Sequence, residues 1–179
     1  NLYGPNDNFD LKSSHVLPAL IRKFHEAKVN DSEFVEVWGT GKPKREFLYV
    51  DDLADACVYL LENVDAEQLY DKMKISHINV GCGKDLSITE LVDMIANIVD
   101  FKGAIRYDSS KPDGTPRKLL DITRLKDLGW EPTHTLQEGI RKSYEGYKIL
   151  LNNNHELVSH RANHIGFDKL SENQIINEI

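Results

Sequence analysis

The sequence predicts an α/β fold, on three observations. Short runs rich in β-branched and aromatic residues, such as 34–38 and 104–108, lie between longer segments whose apolar residues recur at helical intervals. Two of those helical segments open on capping boxes, Ser87 with Glu90 and Thr135 with Glu138. Strands and helices also alternate along the chain, the order that builds sheets flanked by helices.

The chain opens on "NLYGPNDNF", a turn-rich loop with the look of an interior segment, so more protein is expected upstream of Asn1. Leu17, Leu20, Ile21 and Phe24 then predict a helix over 15–28, with Pro18 in the first turn where a missing N–H costs little. "FVEVWGTGKPKREFLYV" predicts strands at 34–38 and 46–50 around a turn built from Gly39, Gly41 and Pro43. Asp51 or Asp52 should cap a helix over 52–63 that buries Leu53, Ala56, Cys57, Leu60 and Leu61. The charged stretch 64–75 reads as a surface connection. "HINV" predicts a strand at 77–80, ended by a Gly81/Gly83 turn.

The helix behind Ser87 carries Ile88, Leu91, Val92, Ile95, Ile98 and Val99 on its apolar side, and "AIRYD" predicts a strand at 104–108. After the loop "SSKPDGTPRK", Asp121 should cap a short helix that stops at Gly129. The last predicted helix, 136–151, buries Leu136, Ile140, Tyr144, Tyr147 and Leu151. From 152 to 179 the chain turns polar, with repeated Asn and His, and reads as a tail with one short helix after Ser171.

Composition narrows the function. With 179 residues, 40% of them hydrophobic, the chain can bury one sizeable core. Its net charge of -7 argues against nucleic acid or an anionic membrane as the main partner, and its longest apolar runs are too short to span a bilayer. Two cysteines, Cys57 and Cys82, lack metal-ligand spacing and are too few for a disulfide framework, which favours a reducing compartment such as the cytoplasm. GxGxxG, Walker and GxSxG patterns are all missing from the sequence.

Within an acidic chain, two loops concentrate cations. "VWGTGKPKREF" joins the aromatic plane of Trp38, a glycine turn, Lys42, Lys44 and Arg45, a set suited to a nucleoside diphosphate and equally to a basic hairpin turn. "SSKPDGTPRK" adds Lys111, Arg117 and Lys118, with Asp113 able to accept from hydroxyls or a base amide. His15, just before a helix, suits proton transfer at a cleft as well as it suits a solvated capping position. Neither cysteine is paired with a base, so neither reads as a nucleophile, and Cys57 is expected in the core.

"NLYGPNDNF", "SHVLPALIRKFHEA", "VWGTGKPKREFLYVDDLADA" and "SKPDGTPRKLLD" together resemble the GDP-L-fucose synthase family, a branch of the extended short-chain dehydrogenases/reductases. The resemblance covers about residues 1–150. It implies a Rossmann-type NAD(P)-binding fold whose N-terminal half is missing, with 1–151 as the substrate-binding half and 152–179 as a polar tail. It also implies conversion of GDP-4-keto-6-deoxy-D-mannose to GDP-L-fucose by epimerisation at C3 and C5, then NADPH-dependent reduction at C4.

On matching positions the resemblance assigns Asn1, Leu2 and His15 to the NADP(H) side and His15 to acid/base work at the sugar. Lys23, Trp38, Arg45 and Asp113 fall to the GDP-sugar. A homodimer is implied for the whole enzyme. The family's catalytic serine and cysteine and its YxxxK pair have no counterpart here, and neither Cys57 nor Cys82 matches the catalytic cysteine. Another GDP- or UDP-sugar epimerase or dehydratase, or a sugar-nucleotide binding module without catalysis, fits the same residues.

Overall fold

A computed structural model describes residues 1–152; the predicted tail and its short helix lie outside the described residues. The elements run β1 (Leu2–Tyr3), α1 (Val16–Val29), β2 (Phe34–Trp38), β3 (Lys44–Glu46), β4 (Leu48–Tyr49) and α2 (Val50–Asn63), then β5 (Asp85–Ser87), α3 (Ile88–Val99), β6 (Ala104–Asp108), β7 (Arg117–Lys118), α4 (Thr123–Asp127) and α5 (Leu136–Asn152). They build three small sheets: β1 parallel to β4, β2 parallel to β6, and β3 between antiparallel β5 and parallel β7.

The main core lies among α1, α3, α5 and the buried face of β2. Ile21 and Phe24 of α1, Leu91 and Ile95 of α3, and Ile140 and Tyr147 of α5 are all essentially inaccessible. Both predicted capping boxes form: Ser87 Oγ accepts from the Glu90 amide while the Glu90 carboxylate accepts from the Ser87 amide, and Thr135 and Glu138 repeat the exchange. These reciprocal bonds satisfy donors that a helix start otherwise leaves orphaned.

A second cluster lies under α2, where Leu48, Ala56, Ile122, Leu125 and Trp130 pack together. The Trp130 indole donates to Asp55 Oδ2 at 2.8 Å, and the Tyr59 hydroxyl donates to the Leu128 carbonyl at 2.9 Å. Gly129 follows α4 at φ +95°, where a side chain would be strained and would also strike the Tyr59 hydroxyl.

Several sequence expectations change. Helix α2 begins at Val50 with Tyr49 at the N-cap, so neither Asp51 nor Asp52 caps it. Its buried face runs through Asp52, Leu53, Ala56, Tyr59 and Leu60, leaving Cys57 exposed and Leu61 86% exposed, about a quarter-turn from that face. The predicted strand 46–50 is two short strands, because the chain leaves the β3 sheet at Glu46 and joins β1 at Leu48 around the buried Phe47. Residues 77–80 pair with no strand among the described residues: Ile78 and Val80 pack beside the α2 cluster, so their alternation reports burial without a ladder. The connection 64–75 holds a π-helical turn, Gln68–Lys72. Asp121 receives the Thr123 amide and hydroxyl as expected of a cap, although Ile122 occupies the N-cap position of α4.

One buried carboxylate ties the surroundings of two of the sheets, β3–β5–β7 and β1–β4, together. Glu46 is 4% exposed, and its two oxygens accept from the Gly83 amide at 2.7 Å and the Leu120 amide at 2.9 Å. Its carbonyl accepts both the α-amino group and the side-chain amide of Asn1. A Cβ on Gly81 would lie 2.5 Å from Glu46 Oε1, so only glycine lets that turn approach. Glu46→Ala leaves two buried N–H groups without acceptors and is expected to lower unfolding free energy by about 2–5 kcal/mol. Glu46→Gln, which keeps one acceptor oxygen, should lose less; urea denaturation of the two variants checks the order.

Candidate functional site

The two cation-bearing loops leave the same end of one parallel sheet. In the β2–β6 ladder Trp38 is level with Asp108, so the chain after each strand's carboxyl end enters a common region. Beside it lies a cavity of about 480 Å³ lined by Lys23, Trp38, Arg45 and Asp113 among others. All four residues that the resemblance assigned to a GDP-sugar, scattered over ninety positions of sequence, therefore meet in one place.

Helix α1 forms one wall. Val16, Ala19, Leu20 and Lys23 line the cavity at helical spacing, apolar at the N-terminal end and cationic at the other. Lys23 Nζ donates to the Glu36 carbonyl at 3.2 Å and lies 5.1 Å above the Trp38 ring, and burial pushes its ammonium pKa down. Lys111 approaches the same ring at 5.7 Å. Trp38 is 61% exposed, leaving its indole available to pack on a flat ligand.

The loop 109–118 is latched over the mouth. Asp113 accepts the Thr40 amide at 2.8 Å and the Thr40 hydroxyl at 2.6 Å, bonds that hold its carboxyl below the usual carboxylate range. The space above Gly39, at φ +82°, is filled by Asp113 Oδ1, so any side chain there would break the latch as well as strain the backbone. Arg45 Nη1 donates to the Thr115 carbonyl at 2.6 Å and to the Lys44 carbonyl. Arg45 thus reaches the cavity while anchored to the same loop as Asp113.

Other candidates lie elsewhere. Arg117 forks onto Asp85, with Nη2 at 3.3 Å from Oδ1, and with Lys118 it forms β7 outside the cavity lining. His15 is exposed at the N-cap of α1 without a side-chain capping bond; it stands next to the cavity wall, since Ser14 and Val16 line it. Asn1 and Leu2 sit apart on the β1 edge, with the α-amino and side-chain amide nitrogens of Asn1 both donating to the Glu46 carbonyl. The described residues include no glycine-rich phosphate cradle. Among the described residues no cluster of His, Cys, Asp and Glu could hold a metal ion, and no helix is long and apolar enough to cross a membrane.

Sequence reasoning missed Ser14 and the Thr40 latch; the stripe from Val16 to Lys23 was the available signal for this wall. It also missed a second cavity of about 360 Å³, bordered by Tyr3, Tyr49, Asp52, Cys82 and His134. There Asp52, 2% exposed, accepts from Thr133 and from His134 Nδ1 at 2.8 Å, while Lys142 Nζ lies 2.8 Å from His134 Nε2. An ammonium facing Nε2 and a carboxylate facing Nδ1 describe a neutral ring protonated on Nδ1. With every group partnered, the cluster reads as structural.

Burial acts to raise the Asp52 carboxyl, but the hydrogen bonds from His134 and Thr133 outweigh it and leave the pKa lowered. A lowered folded pKa stabilises above the unfolded value of about 3.9, and that contribution is lost as pH falls through the folded value. Asp52→Asn should therefore be less stable than the parent at neutral pH, and thermal melts should show the difference narrowing below about pH 4.

Residues 1–81 match the NAD dependent epimerase/dehydratase family. Over 147 residues the chain is 52% identical to GDP-L-fucose synthase 1 of Arabidopsis thaliana, an alignment covering 82% of this chain and 43% of that protein. A solved GDP-6-OMe-4-keto-L-xylo-heptose reductase from C. jejuni superposes with a TM-score of 0.76 at 39% identity, over 83% of this chain and 52% of that one. The NADP-bound GDP-L-fucose synthetase of Naegleria fowleri gives a TM-score of 0.76 at 27% identity, over 87% of this chain and 47% of that one. The chain spans about half the length of these relatives or less. It belongs to the NAD dependent epimerase/dehydratase family and is a relative of the GDP-L-fucose synthases.

Proposed function

We propose that the chain is the C-terminal, sugar-nucleotide-binding half of a GDP-L-fucose synthase, acting on GDP-4-keto-6-deoxy-D-mannose. The observation that carries this reading is the convergence of Lys23, Trp38, Arg45 and Asp113 on one cavity at the carboxyl ends of parallel strands. Roughly half-identity to named GDP-L-fucose synthases supplies the substrate class.

In this reading Lys23 and Arg45 neutralise the diphosphate, the indole of Trp38 packs against the nucleoside, and Asp113 holds the 39–41 turn closed through Thr40. His15, at the entrance to the α1 wall, donates protons to carbon at C3 and C5. The C4 ketone makes that transfer feasible by stabilising the carbanion as an enolate, so an imidazole suffices as the acid. The nicotinamide cofactor, NADPH in this reading, supplies the hydride for C4. Its phosphate cradle, the catalytic serine and cysteine and the YxxxK pair belong to protein outside these residues, and Asn1, Leu2 and His15 border the cofactor's edge.

The whole enzyme is read as a cytoplasmic homodimer. Two unbridged cysteines are consistent with a reducing compartment. The likeness to a GDP-heptose reductase favours one second reading, a reductase of another GDP-4-keto sugar.

Arg45→Ala in the intact protein is expected to weaken GDP binding by about tenfold or more, read by calorimetry, because a charge-assisted bond to phosphate is lost. His15→Asn should leave GDP affinity near that of the parent while abolishing deuterium incorporation at C3 and C5 of the 4-keto substrate. Exchange at the parental rate would remove His15 from the mechanism. The 179 residues alone should not oxidise NADPH with that substrate; activity there would refute the reading of this chain as half an enzyme.

A further inference from the structure

Among buried side-chain nitrogens and oxygens of the described residues, Ser14 Oγ is left without a hydrogen-bond partner. Buried hydroxyls are normally satisfied, and an orphaned one is destabilising, so an exception calls for a physical reason. Its position offers one. Ser14 lines the 480 Å³ cavity, directly before His15 and at the mouth of the α1 wall. The Ser14 amide is spent on the Asp10 carbonyl at 2.8 Å, which fixes the backbone and leaves only χ1 free.

We propose that Ser14 is a sugar-binding residue: its hydroxyl turns into the cavity when the hexose of a GDP-sugar enters and hydrogen-bonds a ring hydroxyl. The inference rests on the GDP-sugar reading of this cavity. With no partner in its present rotamer, Ser14 breaks no bond when it rotates, and staggered wells of serine interconvert readily.

The choice of the hexose over the phosphates follows from the layout of the wall. Lys23 stands seven residues further along α1, a rise of about 10 Å. Lys23 and Arg45 supply two cations, where the diphosphate belongs, while the Ser14 end is lined by Leu11, Val16 and Ala19 with Lys12 as its single cation. A neutral hydroxyl beside apolar groups suits a sugar, and the adjacent His15 is the residue assigned to protonate that same sugar.

The test compares Ser14→Ala with the parent in the intact protein, by calorimetry with GDP and with GDP-mannose, a stable GDP-hexose, and by thermal melting without ligand. The expected result is unchanged GDP affinity, GDP-mannose affinity about five- to tenfold weaker, and an unliganded Tm equal to the parent's or higher, since an orphaned hydroxyl has been removed. Equal GDP-mannose affinity in the two proteins overturns the proposal while leaving the nucleotide reading intact. A lowered Tm with equal losses for both ligands also overturns it, by assigning Ser14 a structural role. A parent protein that binds neither ligand overturns the nucleotide reading and this inference with it.

Discussion

The buried carboxylate of Glu46 is the constraint on which the site's architecture depends. Three small sheets, none wider than three strands, cannot define a rigid frame by ladder hydrogen bonds alone. Glu46 sits where β3 passes into β4 and binds the turn at Gly83, the strand exit at Leu120 and, through its carbonyl, the start of β1. A carboxylate left unpaired at this depth would be costly, so the three approaching segments are held where they satisfy it. Arg45 is its immediate neighbour in β3 and shares the register set by β5 and β7. The direction in which Arg45 leaves the sheet is thus fixed by the residue beside it.

From that frame the cavity is closed by polar latches and opened by none. Thr40 with Asp113, and Arg45 with the Thr115 carbonyl, bridge two loops that are about seventy residues apart in sequence. Each bond is exposed and modest alone. Together they fix the loop over the cavity before a ligand arrives, which spares binding the entropy of ordering it. The glycine at position 39 belongs to the same device: its positive φ turns the chain, and its missing side chain admits Asp113.

Much of this was legible in the sequence, for physical reasons that also explain the failures. α3 and α5 announce themselves because a capping box and a 3.6-residue stripe are local properties, and β2 because a buried alternating face survives any choice of partner. Helix α2 misled because its sequence is apolar over a wide arc: Ala56 and Leu60 face the Trp130 cluster, but Val58 and Leu61 face outward with equal hydrophobicity. Residues 77–80 misled because alternation reports a buried face and says nothing of a pairing strand. Asp52 resembled a helix cap because Asp near a helix start usually is one, and only the later segment at Thr133 and His134 gives it another purpose. The four residues of the cavity could be named singly; that they meet depends on the β2–β6 register and the Glu46 junction, which no local pattern encodes.

The geometry alters the chemistry expected of Asp113. Read from sequence, it was an acceptor for a ligand hydroxyl or base amide, yet both carboxylate oxygens already hold Thr40. Those bonds favour the ionised form, so the group is an anion at neutral pH placed at the rim of a cavity that, in the proposed reading, receives an anion. Direct contact with a diphosphate would be repulsive. In the proposed reading Asp113 shapes the loop at the rim, with Lys23 and Arg45 outweighing its charge in the cavity. In the proposed GDP-sugar reading, an acidic latch beside a cationic floor would also orient the ligand, drawing the diphosphate towards Lys23 and Arg45 and leaving the neutral sugar for the end of the cavity nearest His15.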